Sequence, residues 1–182
     1  MQPITQLNQW LSQHASDKHY LFRLQDFRAL FQSLTDSAFK TLLSRAVRSG
    51  LLERVCRGLY RYKNTAPADG LLLFHAAALL RANELNYISL ETALSDAGVI
   101  SQIPMNWITL MSSGRTNTIA CGSFGTIEFI HTNQTPENLL HDLHYDPNCG
   151  LWRANVKLAL RDMKATHRNT DLIDWDSANE FI

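Results

Sequence analysis

The hydrophobic positions in residues 33–62 predict a helix followed directly by a β-hairpin. Apolar residues recur there every three or four positions, the spacing that places side chains on one face of a helix: Phe39, Leu42, Leu43, Ala46 and Val47. Thr35 or Asp36 can cap the start of this helix by accepting a hydrogen bond from a free backbone N–H. Gly50 is suited to its end, because glycine adopts the left-handed conformation at little cost. The strand-like runs LLERVCR and LYRY follow, with Gly58 at the predicted hairpin tip between them.

The pattern before this stretch predicts two more helices and a short strand. Residues 3–16 and 24–31 repeat apolar positions at helical spacing, and Pro3 suits a first helical turn because its missing N–H has no partner there anyway. The shorter helix would turn four residues inward: Leu24, Phe27, Leu30 and Phe31. Residues 20–22 are predicted to form a strand that pairs with the later hairpin. The order helix, strand, helix, helix, strand, strand is typical of a winged helix-turn-helix, which would close by about Lys63.

The second half of the chain predicts a small α/β domain with a few-stranded sheet, so the whole chain is expected to be α+β. Residues 64–70 are rich in turn-forming residues and mark the expected linker between domains at 1–66 and 67–182. Helices are predicted at 71–84, 90–97, 136–144 and 156–166, and extended segments at 87–89, 107–111, 116–121 and 124–131. The last stretch, DLIDWDSANEFI, is acidic with apolar anchors, and its pattern does not decide between docking and fraying.

The net charge of zero conceals an asymmetry between the two halves. Residues 1–66 contain 10 Lys and Arg against 4 Asp and Glu, whereas residues 67–182 contain 7 against 13. A basic first half followed by an acidic second half favours a domain that binds nucleic acid, joined to one with another task. The apolar content of 45% indicates packed cores rather than disorder.

Signals for export or membrane insertion are weak in this chain. No apolar run approaches the ~20 residues that span a bilayer, and the N-terminus MQPITQLNQW lacks the basic patch and apolar block of a secretory signal. The three cysteines, Cys56, Cys121 and Cys149, are odd in number and widely spaced, which argues against a disulfide framework. We therefore expect reduced thiols, a cytoplasmic location and no membrane partner.

Polar and basic residues on the predicted helix and hairpin are the candidate contacts to double-stranded DNA. On the helix they are Ser37, Lys40, Thr41, Ser44, Arg45 and Arg48, and in the hairpin they are Arg54, Arg57 and Arg61. Small hydroxyl side chains allow close approach, and Arg can bond bidentately to guanine or to a phosphate. The helix would enter the major groove while the hairpin lies along phosphates. The alternative for these residues is a solvated surface, and Leu59, Tyr60 and Tyr62 are expected to pack rather than to stack on bases.

A metal site has a weaker pattern. His141 and His144 are three residues apart on a predicted helix, with Asp142, Asp146 and Cys149 nearby. Zinc sites usually need three or four converging ligands with recognisable spacing, and no second spaced pair is present. Capping and surface histidines are the better interpretation, so no metal is expected.

Catalytic and phosphate-binding patterns are weaker still. Gly114, Gly122 and Gly125 lie in hairpin context and match no phosphate-binding motif. Cys121 and His131 lie on neighbouring predicted strands, but nothing links them to a third group. We therefore expect no cofactor and no catalytic residue.

Three stretches resemble the AbiEi family of bacterial antitoxins, from the abortive-infection type IV toxin–antitoxin systems. They occur in the family's order: SRAVRSGLLERVCRGLYRY, YISLETALSDAGVISQIPMNWITLMSSGR and GTIEFIHT. The middle stretch is the most telling, because winged helices are common while a YxSLExAL segment after one is not. The resemblance implies a winged-helix domain that binds repeats in its own promoter and represses the operon. It also implies a C-terminal domain that counteracts a nucleotidyltransferase-type toxin without a stable toxin–antitoxin complex.

The sequence therefore predicts a non-enzymatic transcriptional repressor and antitoxin, whose second domain supports antitoxin action or self-association on the operator. Two alternatives stay open. The first is a stand-alone ligand-sensing regulator, which would need an apolar pocket with a few polar groups in the second half. The second is an enzyme in which the winged helix binds the substrate.

Overall fold

The structure is a computed structural model that describes residues 1–65, 67, 70–101 and 103–182. The chain divides into two compact units, Met1–Gly70 and Leu71–Ile182. The predicted linker at 64–70 lies partly outside the described residues, and its first positions belong to a 3-10 turn, Lys63–Thr65. The predicted fold class is confirmed, since helices and strands build both units. No helix among the described residues is long and apolar enough to cross a membrane.

The N-terminal unit is a winged helix-turn-helix. Its elements follow in the predicted order: α1 (Pro3–His14), β1 (Leu21–Arg23), α2 (Leu24–Leu30), α3 (Asp36–Arg48), β2 (Leu52–Cys56) and β3 (Leu59–Tyr62). The three strands form an antiparallel sheet in the order β1-β3-β2. Phe22 of β1 lies opposite Tyr60 of β3, so the predicted pairing of the short strand with the hairpin is confirmed.

Both predicted ends of α3 are confirmed by their backbone geometry. The hydroxyl oxygen of Thr35 accepts a hydrogen bond from the N–H of Ala38 at 3.2 Å, as an N-cap residue does. At the other end, the N–H of Leu51 donates to the carbonyl of Ala46, and the N–H of Gly50 donates to the carbonyl of Val47. Gly50 has φ of +77°, in the left-handed region. These two reversed bonds are the Schellman motif, which turns the chain sharply into the hairpin.

The turn between α2 and α3 is held by one arginine. Nη1 of Arg28 donates to the carbonyls of Phe31 and Leu34, at 3.2 and 2.8 Å. Its Nη2 donates to the carboxylate of Asp36, the first residue of α3, and its guanidinium lies 5.1 Å from the ring centroid of Phe39. Arg28 therefore fixes the direction in which α3 leaves the turn.

An aromatic core lies beneath the sheet of this unit. Phe22 and Phe27 are fully buried, and their ring centroids lie 5.6 Å apart. Trp10 of α1 packs edge-on against both rings, at 5.5 and 6.3 Å. Leu42, Leu43 and other inward residues of α3 complete this core, so α3 is held by its buried face while its polar face remains outside.

Two apolar residues that were predicted to face inward are exposed. Leu24 is 42% exposed and Val47 is 38% exposed. Leu24 is the first residue of α2, and its backbone N–H donates to the carbonyl of Gly58 at the hairpin tip. Val47 lies about 100° around the helix from Ala46, which sits within the buried stripe, so it falls beyond the edge of that stripe.

The C-terminal unit is built on a mixed six-stranded sheet in the order β6-β7-β5-β4-β9-β8. Its elements are α4 (Leu72–Leu80), β4 (Asn86–Ile88), α5 (Leu90–Asp96), β5 (Trp107–Ser112), β6 (Asn117–Ala120), β7 (Thr126–His131), α6 (Pro136–Leu139), β8 (Leu143–Asp146), β9 (Leu151–Ala154), α7 (Val156–Ala165) and α8 (Trp175–Asn179). The central pairs β5–β7 and β4–β9 are parallel, and the remaining pairs are antiparallel.

Two helix predictions in this unit were wrong in extent. The helix predicted at 71–84 ends at Leu80, because the side chain of Asn86 donates to the carbonyls of Arg81 and Glu84 and turns the chain into β4. The helix predicted at 136–144 stops at Leu139. The rest of that segment is β8, which pairs with the unpredicted strand β9.

The YISLE segment of the predicted resemblance has a structural role. Oγ of Ser89 donates to the carboxylate of Asp162 on α7 at 2.6 Å, and burial raises the pKa of Asp162. Glu91 accepts a hydrogen bond from Nε of Arg168 at 2.6 Å, and Arg168 also bonds bidentately to Glu128 of β7. Burial alone would lower the pKa of Arg168, but these carboxylates raise it. The segment therefore ties α5 to α7 and to the sheet.

The acidic C-terminal stretch docks on its own unit. Ile173 is 6% exposed and forms a β-bridge with Ile100, and the N–H of Asp174 donates to the carbonyl of Val99 at 2.8 Å. The side chain of Asp174 then caps α8 by accepting bonds from the N–H groups of Asp176 and Ser177. Docking thus prevails over fraying in this stretch.

Replacing Gly125 with alanine is expected to lower the free energy of unfolding of the C-terminal unit by about 2 kcal/mol or more. Gly125 has φ of +122°, and an added Cβ would overlap the carbonyl oxygen of Asn106. That carbonyl accepts the N–H of Thr126, where β5 and β7 begin to pair. Urea unfolding measures the loss, and Gly122→Ala is the matched control because its Cβ would meet nothing within 4 Å. Equal losses in the two variants would contradict the overlap with Asn106.

Candidate nucleic-acid interface

A concave surface of about 870 Å³ lies between α3 and the β2–β3 hairpin, and we call it the basic groove. Its polar lining consists of Lys40, Ser44, Arg48, Arg54 and Arg57. Its apolar lining includes Leu24, Leu43, Val47 and Tyr60. Five of the nine residues predicted to contact DNA are therefore brought together on one surface.

The other predicted residues of α3 flank the basic groove. Ser37 is exposed on the same outer face as Ser44 and Arg48, because residues seven and four positions apart share a face. Thr41 and Arg45 line a second depression on the far side of α3, next to Ile4 of α1. The hydroxyl of Thr41 donates to the carbonyl of Ser37 at 2.9 Å. The exposed part of α3 thus contributes to two depressions, and Ser44 belongs to the basic groove.

The hairpin places Arg54 and Arg57 in the basic groove and Arg61 outside it. Arg57 is exposed in the two-residue connection between β2 and β3, beside Gly58. Arg54 lies opposite Tyr60 in the register, and Tyr60 packs against the core of the unit on the side of α3. Arg61 follows Tyr60 and therefore points from the opposite face of the hairpin. There its Nε bonds to the carboxylate of Glu53 at 2.7 Å.

Acidic residues of this unit are paired away from the basic groove. Of the 4 Asp and Glu in residues 1–66, three form ion pairs: Asp26 with Arg23, Asp36 with Arg28, and Glu53 with Arg61. Within the described residues, no ion pair is formed by Lys40, Arg45, Arg48, Arg54 or Arg57. The positive charge without an internal counterion is thus concentrated on α3 and the wing, where phosphates can supply the counter-charge.

The basic groove also contains residues that sequence reasoning assigned to the core. Leu24 and Val47 were expected to pack inward but line the groove, and Tyr60, which packs against the core as expected, lines it as well. The helical spacing from Lys40 to Val47 is seven residues, which places Val47 almost above Lys40 on α3. That spacing was a signal for Val47, whereas Leu24 reaches the groove only through the folded arrangement of α2.

The residues weighed for metal binding do not converge. His144 lies on β8 and His141 precedes that strand, so the single helix on which this site depended does not form. Among the described residues, no group of three or more His, Cys, Asp and Glu side chains is arranged to hold a metal ion. Cys149 is buried, and burial raises the pKa of its thiol to about 12.

The pair weighed for nucleophilic catalysis is also engaged elsewhere. Nδ1 of His131 lies 2.9 Å from the carbonyl of Gly114, and its Nε2 lies 2.9 Å from the side-chain oxygen of Asn133. The first of these bonds is the main cause of a raised pKa of His131. Cys121 is fully buried, with its Sγ directed to the carbonyl of Ile119.

Comparison with known families connects the N-terminal unit to gene regulation. Residues 11–63 match the family model described as "Transcriptional regulator, AbiEi antitoxin". The match begins within α1 and ends just after β3, so it includes α3, the hairpin and all residues of the basic groove. No curated protein matches the chain. The resemblance predicted from the sequence is thereby confirmed over residues 11–63, and this segment is similar to the AbiEi antitoxin family of transcriptional regulators.

Proposed function

We propose that this chain is a transcriptional repressor and antitoxin of a type IV toxin–antitoxin system, which binds repeats in its own promoter and autoregulates its operon. The observation that carries the proposal is the set of exposed basic residues on α3 and the wing that have no internal ion pair in the described part of the chain. They are Lys40, Arg45, Arg48, Arg54 and Arg57. The family match over residues 11–63 supports the regulatory role.

The proposed contacts follow from where these side chains lie. α3 would enter the major groove with Ser37, Ser44 and Arg48 towards base edges, since these residues occupy the centre of its exposed face. Arg54 and Arg57 would hold phosphates along the hairpin, and Thr41 and Arg45 would do so on the far side of α3. Arg61 would contribute less, because Glu53 already neutralises its charge.

The C-terminal unit is the proposed antitoxin part. Residues 67–182 carry the acidic excess of the chain, which disfavours contact with phosphates and leaves DNA binding to the N-terminal unit. We propose that this unit counteracts a nucleotidyltransferase-type toxin without forming a stable complex with it, and that it can support self-association on the repeats. A role at a promoter implies a cytoplasmic location.

Gel-shift titration with the DNA upstream of the gene tests the first part of the proposal. We expect specific binding, with an affinity at least about 10³-fold higher than for unrelated DNA of the same length. A reporter driven by that upstream DNA is expected to be repressed when the chain is supplied. Equal affinity for the two DNAs would contradict reading of a promoter sequence.

Co-expression with the adjacent gene tests the second part. If the neighbouring reading frame encodes a nucleotidyltransferase that arrests growth, the full chain is expected to restore growth without co-purifying with that toxin. Failure to restore growth would contradict the antitoxin role while leaving the repressor role intact. Stable co-purification would contradict neutralisation without a complex.

A pocket in the C-terminal unit favours a ligand-sensing regulator as the second candidate. Its volume is about 390 Å³, within the range of small-molecule sites. Ile103, Pro104 and Trp107 supply apolar walls, and the ion-paired Glu128 and Arg168 supply polar groups. A metabolite that raises the melting temperature of the protein and changes its affinity for DNA would support this function.

A further inference from the structure

We infer that Val47 and Leu24 form an apolar contact for the C5-methyl groups of thymine, so that the basic groove selects DNA with A·T pairs beside its polar contacts. The inference rests on the proposed function, in which α3 enters the major groove of duplex DNA. Two uncharged residues, which the sequence pattern assigns to the core, would then contribute to the selection of the DNA sequence.

Exposed hydrophobic side chains of the N-terminal unit are concentrated in the basic groove. In the described part of the N-terminal unit, the exposed large hydrophobic residues are Met1, Leu24 and Val47. Met1 is the first residue, whereas Leu24 and Val47 both line the basic groove. Exposed apolar side chains are common singly, but two that converge in an otherwise basic groove form a specific feature.

Charge decides which kind of partner can cover this apolar patch. Lys40, Arg48, Arg54 and Arg57 surround it, and no Asp or Glu of the described residues lines the groove. A polyanion is the partner suited to these basic side chains, because counterions are released when its phosphates bind Lys and Arg. Duplex DNA is the polyanion that the fold of this unit is suited to receive.

Phosphates remain hydrated and cannot cover hydrophobic side chains favourably, and a helix inserted in the major groove faces the base edges. In the major groove, the thymine C5-methyl is the distinctive apolar group at the base edges. Removing that methyl, as in uracil, leaves every hydrogen-bonding group of the base pair unchanged. The substitution therefore isolates the apolar contact.

The position of Val47 on α3 fits this role. Val47 lies three residues after Ser44 and one before Arg48, so it adjoins both polar side chains on the helix surface. Ser44 and Arg48 are exposed beside it. A thymine read by Val47 would accordingly lie next to a base pair contacted by Ser44 or Arg48.

The test compares one upstream DNA fragment in two forms, amplified with dTTP or with dUTP and with matching primers. For the unchanged protein we expect uracil DNA to bind at least threefold more weakly, since one buried methyl accounts for a factor of about three to four. In Val47→Ser the ratio between the two DNAs is expected to fall towards one. Leu24→Ser is a second variant on the other side of the patch, and it is expected to lower the same ratio by a smaller amount.

Arg57→Ala is the matched control, because it is expected to weaken binding to both DNAs by the same factor. Equal binding of thymine and uracil DNA by the unchanged protein would overturn the inference and leave the proposed function standing. A ratio that survives in both Val47→Ser and Leu24→Ser would also overturn it. Binding of neither DNA by the unchanged protein would overturn the proposed function, and the inference with it.

Discussion

Replacing Arg48 and Arg57 together with alanine is expected to weaken binding to the upstream DNA by about 100-fold. Arg48 lies on the outer face of α3 and Arg57 at the tip of the wing, and both are exposed without an internal ion pair among the described residues. An arginine that contacts a base edge contributes about 1–3 kcal/mol, and one that contacts a phosphate contributes mainly at low salt. The two losses should nearly add, because the residues lie on different elements.

Gel-shift titrations at two salt concentrations measure this effect and separate the two roles. Each lost phosphate contact should lower the slope of log affinity against log salt by about one. If Arg48 reads a base, its single variant should relax sequence preference, whereas the Arg57 variant should mainly lower the slope.

Arg61→Ala is the matched control for that experiment, because it removes an arginine from the same hairpin. Arg61 projects from the opposite face and is ion-paired with Glu53, so a much smaller loss of affinity is expected. Unchanged affinity in the Arg48/Arg57 double variant would remove α3 and the wing from DNA binding. A loss in Arg61→Ala equal to that of the double variant would show that net charge alone, rather than the basic groove, determines affinity.

Replacing Phe27 with alanine is expected to lower the free energy of unfolding of the N-terminal unit by about 3–5 kcal/mol. Phe27 is fully buried, and its ring packs against Phe22, Trp10 and Tyr60 with centroid distances of 5.6, 6.3 and 6.1 Å. Removal of the ring leaves a cavity beneath the sheet that this close-packed group cannot fill. Since small units are only marginally stable, the variant should lose DNA binding at a lower temperature than the unchanged protein does.

Trp10 reports this unit specifically if the other three tryptophans, Trp107, Trp152 and Trp175, are replaced with phenylalanine. Its ring lies on Phe22 and Phe27, so its fluorescence should change when this core opens. Phe181→Ala is the matched control, because Phe181 is 52% exposed and lies outside the N-terminal unit. A shift of less than 1 kcal/mol in the Phe27 variant would contradict the packing described for this core.

The helix and hairpin of residues 33–62 could be predicted because their signals are local. Thr35 caps the start of α3 through its own neighbour, and Gly50 supplies the Schellman turn at the end. Alternation along β3 was a further local signal. With Tyr60 and Tyr62 directed to the core, Arg61 had to face the other way, and sequence reasoning did not use this to separate it from Arg54.

Other features could not be predicted because they depend on partners distant in sequence. Segment 136–144 has helical spacing, yet Leu143 pairs with Ala154 in the sheet, and both backbone and side chain of Asn155 bond to Asp142. The pairs that Arg28 and Arg61 form join residues eight positions apart on different elements. The sequence shows ten basic residues in the first 66, but not which of them keep their charge available.

The ion pairs of Arg28 and Arg61 have a kinetic consequence for this unit. By cancelling charge outside the basic groove, they favour an electric dipole whose positive pole coincides with that groove. A dipole of this kind turns in the field of a polyanion before the two molecules touch, so collisions become productively oriented more often. Breaking these pairs with Asp36→Lys or Glu53→Lys would add positive charge to the unit. That charge would lie outside the basic groove and would favour misaligned encounters with DNA.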